Sequence, residues 1–121
     1  MVTFSVVTRD HPEFGWVMVP LFVAQIQLRM MLNTGSPRSV ISEAARDTLI
    51  QNELLPPQQL AGYTLTPVAL AGQRISDLPV RVRGPVFARA HVDGMLGLDF
   101  LRQFTEIHFD VAAFRLTLTL P

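Results

Sequence analysis

Apolar and polar residues alternate through much of the first third of the chain. Val2, Phe4 and Val6 form one period-2 run. Trp16, Met18, Leu21 and Val23 form a second around Pro20, and Ile26, Leu28, Met30 and Leu32 form a third, interleaved with Gln27, Arg29 and Met31. Successive side chains of a strand point to opposite faces, so these runs predict strands with one buried face. Pro20 has no N–H to give a ladder and predicts a sheet edge or a bulge.

The pattern then changes period. Ser42 has the chemistry of an N-cap, Glu43 suits the positive end of a helix dipole, and residues 43–51 carry helical propensity. Pro56-Pro57 is expected to end that segment. Thr64–Leu70 and Ile75–Val82 read as further strands around Ala71-Gly72-Gln73, and Gly84-Pro85 reads as a turn. After Val92-Asp93-Gly94-Met95-Leu96-Gly97, a short helix is expected over 98–104, with Leu98, Leu101 and Phe104 on one side. Ile107, Phe109, Phe114, Leu116, Leu118 and Leu120 close the chain as a hairpin around 111–113. The expectation is a mainly β protein with one or two short helices, a single domain over residues 1–121.

Composition narrows the class. The chain is 49% apolar, which fits a globular protein. Ten basic residues, all Arg, balance ten acidic ones. No basic face stands out, so nucleic acid is not an expected partner. There is no Cys, which excludes disulfide and thiolate chemistry. The most apolar stretch, 16–32, is interrupted by Pro20, Gln25, Gln27 and Arg29, so no membrane span is expected. No basic-then-apolar leader opens the chain. It reads as soluble, either cytoplasmic or cut from a longer membrane-anchored protein. His11, His91 and His108 are scattered, so no metal site is expected. Ser36 and Ser39 have no nearby His to activate them as nucleophiles.

The chemistry sits where the third run ends, at Leu32-Asn33-Thr34-Gly35-Ser36. Asn-Thr-Gly-Ser alone is a common turn. Here an apolar strand precedes it, Val40-Ile41 follows it, and Met95-Leu96-Gly97-Leu98-Asp99-Phe100-Leu101 comes later in the chain. With Asn33 changed to Asp the loop would read Leu-Asp-Thr-Gly-Ser. It then resembles the active-site loop of aspartic proteases, and Leu96-Gly97 is similar to the apolar–apolar–Gly signature of retropepsins and their bacterial relatives. The resemblance spans most of residues 14–120.

That resemblance implies a closed β-barrel of the retropepsin type and no cofactor. Only one such loop occurs, so it implies a two-fold homodimer in which each copy gives one acid across the axis. Asn33 stands at the acid position, Thr34 and Gly35 shape the loop, and Leu96 and Gly97 support it from beneath. Ser36 would line the cleft. Leu60, Ala61, Gly62 and Tyr63 would form the flap over an extended peptide, with Gly72 as a rival flap tip. The implied activity is endopeptidase: two close carboxylates share one proton, and the pair activates a water against a peptide bond. Asn33 can neither share that proton nor act as a base, so the chain as written is expected to be inactive. The intact surroundings of Asn33 favour an introduced Asp-to-Asn change. The alternative is a natural pseudoprotease that binds peptides or dimerises. Pro37 and Arg38 differ from the acidic residues retroviral enzymes carry just after the loop. Asp93 is expected to stabilise a turn, and Asp99 to cap the short helix or pair with an Arg.

Overall fold

A computed structural model describes residues 1–11, 15–57, 62–84 and 91–121. Their elements, in chain order, are β1 (Val2–Val7), β2 (Arg9–Asp10), β3 (Val17–Val23), β4 (Ile26–Leu32), β5 (Val40–Ser42), α1 (Glu43–Gln51), β6 (Tyr63–Leu65), β7 (Val68–Leu70), β8 (Gln73–Ile75), β9 (Leu78–Arg83), β10 (Gly94–Leu96), α2 (Leu98–Leu101), β11 (Glu106–Asp110) and β12 (Arg115–Leu120). The alternating runs thus become strands. Pro20 lies in the middle of β3, facing Arg29 of β4. On its other side β3 pairs with β2 at residues 17 and 18 and with β7 at residues 22 and 23. Pro20 falls in the gap between those two partners, a local edge where its missing N–H costs no ladder bond.

Helix α1 follows the cap reading, with the Ser42 hydroxyl accepting from the Ala45 N–H at 3.0 Å. Its end differs from the expectation. The helix stops at Gln51, Asn52 caps it, and Glu53 takes a φ of 60°, so the chain has already turned left-handed before the prolines. The strand expected over 64–70 is divided between β6 and β7 at Pro67. The strand expected over 75–82 is divided between β8 and β9 by Ser76 and Asp77. Helix α2 is only four residues long and ends before Phe104.

Two sheets result. β1, β12 and β11 form a three-stranded antiparallel sheet, with Val2 opposite Leu120 and Phe109 opposite Leu116. The other sheet has nine strands in the order β6-β9-β5-β10-β4-β3-β7-β8, with β2 beside β3, and it curls into a half-barrel. Side-chain parity assigns its faces. Val19, Leu21 and Val23 of β3, Leu28 and Met30 of β4, Ile41 of β5 and Leu96 of β10 enter the principal core with Leu49, Leu65 and Phe100. Their neighbours Met18, Met31 and Val40 point the other way and form a second apolar cluster with Val92, against which Trp16 and Met95 pack. Among the described residues no helix is long and apolar enough to cross a membrane.

Candidate active site

The loop after β4 returns as β5, but those two strands are not neighbours. β10 lies between them. It runs parallel to β4, with Leu96 beside Leu32, and antiparallel to β5, with Met95 opposite Val40. The Asn33 N–H donates to the Leu96 carbonyl at 2.9 Å, so the ladder continues into the loop. The chain leaving β10 then passes under the same loop. Leu98 N–H donates to the Ser36 carbonyl at 2.8 Å and Asp99 N–H to the Pro37 carbonyl at 3.2 Å. Gly97 makes this crossing possible: a Cβ there would lie 2.6 Å from the Arg38 carbonyl oxygen and 2.7 Å from that of Ser36. Asn33 and Ser36, the two ends of the loop, therefore sit against Leu96 and Gly97.

The loop is tightened from within. Gly35 N–H donates to Asn33 Oδ1 at 2.9 Å, the Asx geometry that short amide side chains favour, and Ser36 N–H donates to the Asn33 carbonyl at 3.3 Å. The Asn33 Nδ2 donates to the Met95 sulfur at 2.9 Å. Asn33 and Ser36 are half-buried, and Thr34 and Gly35 form an exposed apex. The Ser36 hydroxyl donates to the Arg38 carbonyl at 2.8 Å.

A second layer of bonds holds the loop's exit. Ser39 is almost fully buried. Its hydroxyl donates to Asp99 Oδ1 at 2.6 Å and accepts from Gly97 N–H at 3.0 Å. Its own N–H donates to Asp99 Oδ2 at 3.0 Å, and Asp99 Oδ1 also accepts from Phe100 N–H at 2.8 Å. Asp99 lies in the first turn of α2, whose N-cap is Gly97 with no side-chain cap bond, so it does not cap the helix as expected and instead pins the loop. Asp93 lies at the other end of β10. Its Oδ2 accepts from Arg29 N–H at 2.7 Å, away from Asn33 and in a strand-tying role.

Just below Asn33, one row of side chains crosses four strands. Met18, Met31, Met95 and Val40 are successive ladder partners on the face opposite the principal core. Neighbouring strands stand roughly 4.8 Å apart, so the row makes a continuous apolar layer, buried at Met18, Met31 and Val40 and half-buried at Met95. Beside the loop's exit lies a cavity of about 570 Å³. Pro37, Arg38 and Ser39 border it, as do Gly62, Tyr63 and Thr64, with Arg81 and Arg102 on its walls.

The flap candidates divide. Leu60 and Ala61 lie outside the described residues. Gly62 approaches β9 closely: it has a φ of 119°, and a Cβ there would lie 2.8 Å from the Val80 carbonyl oxygen. Tyr63 is largely buried, packs into the principal core and also borders the cavity. Gly72 lies at the turn between β7 and β8. β7 pairs antiparallel with Phe22 and Val23, so from Val68 it runs back along β3 toward the end of the sheet that carries Asn33. Gly62 shares the cavity with Pro37, Arg38 and Ser39, whereas Gly72 sits two strands over from β4, beyond β3.

Sequence reading missed Ser39 as a partner of Asp99, Met95 as a neighbour of the Asn33 side chain, and the gathering of Arg38, Arg81 and Arg102. Met95 was the one with a signal, as the residue next to the Leu96-Gly97 pair.

No family model and no curated protein sequence matches the chain. Solved structures do. The fold is similar to that of a retropepsin-like aspartic protease from Rickettsia conorii, with a TM-score of 0.64 and 18% identity over 97% of this chain and 90% of that one. It is also similar to the retroviral protease-like domain of Ddi1 from Leishmania major, with a TM-score of 0.61 and 19% identity over 90% of this chain and 96% of that one. The mainly β half-barrel with two short helices is thus a fold of the retropepsin-like type.

Proposed function

We propose that this chain is the scaffold of a retropepsin-type aspartic endopeptidase, with Asn33 at the position of the acid and two copies forming the working unit. The observation that carries the reading is the seat of Asn33. Its backbone is tied to Leu96 of the inserted strand, and Gly97 crosses beneath the loop. The exposed apex of Thr34 and Gly35 leaves the loop open to the same loop of a second copy. A substrate peptide would lie extended beside the half-buried Met95, above the buried Met18 and Met31. Thioether side chains adapt their shape, which suits varied apolar residues beside the bond to be cut.

With Asp at position 33 in both copies, the two carboxyls would share a proton. One would draw a proton from water while the other protonated the carbonyl oxygen of the scissile bond. An amide does neither. Each lost acid–base group costs roughly 10²–10⁴-fold, so the chain as it stands should not cleave peptides by this route. Asn33→Asp tests this. The expected result is cleavage of the protein itself or of an apolar peptide at acidic to neutral pH, blocked by a statine-type inhibitor. A folded, dimeric and inert Asn33→Asp protein overturns the enzyme reading.

One observation favours a second reading. The Asn33 Nδ2 donates to the Met95 sulfur, a bond that a carboxylate cannot make. The site therefore accommodates the amide, as a module that holds peptides without cutting them would require. An inert Asn33→Asp dimer that still bound peptides would support that reading, while the intact loop around position 33 favours an introduced change.

A further inference from the structure

We propose that the cavity beside the loop's exit is a subsite for an acidic side chain, Asp or Glu, at an outer position of the bound peptide. The inference rests on the reading of the Asn33 groove as a peptide site and adds the class of peptide it selects. Three elements each bring a guanidinium to this one cavity. Arg38 comes from the loop, Arg81 from β9 and Arg102 from the C-terminal cap of α2. All three residues are exposed. Among the described residues the only acid on the cavity wall is Asp99, and its carboxylate already accepts from Ser39 N–H, the Ser39 hydroxyl and Phe100 N–H. Among the described residues the sole ion pair is Arg46–Asp47, and neither residue borders the cavity. Arg38, Arg81 and Arg102 thus have no carboxylate partner among the described residues.

This local excess stands out in a chain whose charges cancel overall. Like charges gathered without counter-charges repel one another, and an incoming anion relieves that repulsion. The guanidinium fork also matches a carboxylate geometrically. Position links the cavity to the groove. Its wall begins at Pro37, next to Ser36, and extends to Gly62, which lies across from Arg81. An extended peptide leaving the Asn33 loop toward Gly62 would pass the three arginines. Because alternate side chains of an extended peptide point the same way, the preference should fall on one fixed position.

The test uses the chain as it stands, which needs no catalysis. The protein is mixed with an equimolar library of acetylated octapeptides, separated by size exclusion, and the retained peptides are read by mass spectrometry. The expected result is enrichment of Asp and Glu over Asn and Gln at one position, by roughly two- to fivefold as for solvent-facing ion pairs of good geometry. The preference should fade near ~0.5 M salt, where the screening length falls to a few ångströms. It should vanish in an R38Q/R81Q double variant, weaken in R102Q and persist in R46Q. Circular dichroism verifies that each variant is folded, and R102Q serves alone if the double variant is not. Retained peptides with no acidic preference, or a preference that survives in R38Q/R81Q, overturn the subsite and leave the groove reading intact. Retention of no peptide overturns both. Inorganic phosphate that shifts the Arg38 and Arg81 Nε–H resonances, where acidic peptides do not, assigns the cavity to a small free anion and overturns the peptide subsite.

Discussion

Asp93 and Asp99 flank β10, and both carboxylates accept backbone N–H groups, yet they secure its two ends in different ways. At the Asp93 end the main chain does most of the holding. Asp93 N–H donates to the Arg29 carbonyl at 2.9 Å and the Asp93 carbonyl accepts from Ser42 N–H at 2.8 Å, so the carboxylate bond to Arg29 N–H is an addition to an existing ladder. At the Asp99 end main-chain bonds also hold the crossing, from Leu98 N–H to the Ser36 carbonyl and from Asp99 N–H to the Pro37 carbonyl. A chain of buried side-chain bonds is added to them, from Gly97 N–H to the Ser39 hydroxyl to Asp99. Each bond in such a chain polarises the next, and a buried member left unpartnered costs its full desolvation. The end of the strand beneath Asn33 therefore depends more on residue identity than the other end, where a single exposed carboxylate bond supplements the main chain.

The largest effect should break the Asp99 end outright. Gly97→Ala forces a Cβ against two backbone carbonyls that have no room to move, and a loss of more than about 4 kcal/mol is expected. The readout is failure to reach a cooperative urea transition, or a midpoint far below that of the parent. Next, Asp99→Ala leaves the buried Ser39 N–H and hydroxyl without their acceptor. A loss of about 3 kcal/mol is expected in urea melts, and a Ser39→Ala/Asp99→Ala cycle should show strong non-additivity. Independent losses would refute the idea of one coupled network. The smallest effect should come at the other end. Asp93→Ala removes one bond to an exposed strand residue while the ladder persists, so about 1 kcal/mol is expected. If Asp93→Ala proved as costly as Asp99→Ala, the contrast between the two ends would be lost.

Much of this was legible in the residues. Alternation located β1, β3, β4 and β12 because each carries buried residues on one face, it located β11 from Ile107 and Phe109 although no residue of that strand is buried, and Ser42 marked the start of α1 because its hydroxyl is a ready acceptor. The adjacency of Asn33 to Leu96 and Gly97 was readable from two short motifs taken together. Apolar alternation does not reveal which strand lies beside which. It carried unbroken readings across Pro67 and across Ser76-Asp77, where the chain changes ladder partner. The pairing of Ser39 with Asp99 spans a large stretch of sequence with no spacing rule to betray it. The arginine cavity was invisible for the same reason: Arg38, Arg81 and Arg102 meet only because β9 lies beside β5 and α2 follows β10.

The position of β10 has a consequence for synthesis. On the ribosome, β4 and β5 emerge well before the segment that must separate them. Until residues 94–96 arrive, each presents an unfilled hydrogen-bonding edge toward the other. Direct zipping of those two edges is the obvious wrong pairing, and the short tight loop between them keeps them close enough to attempt it. The nascent domain therefore stays open to misregistration until Gly94-Met95-Leu96 threads in and locks both flanks at once.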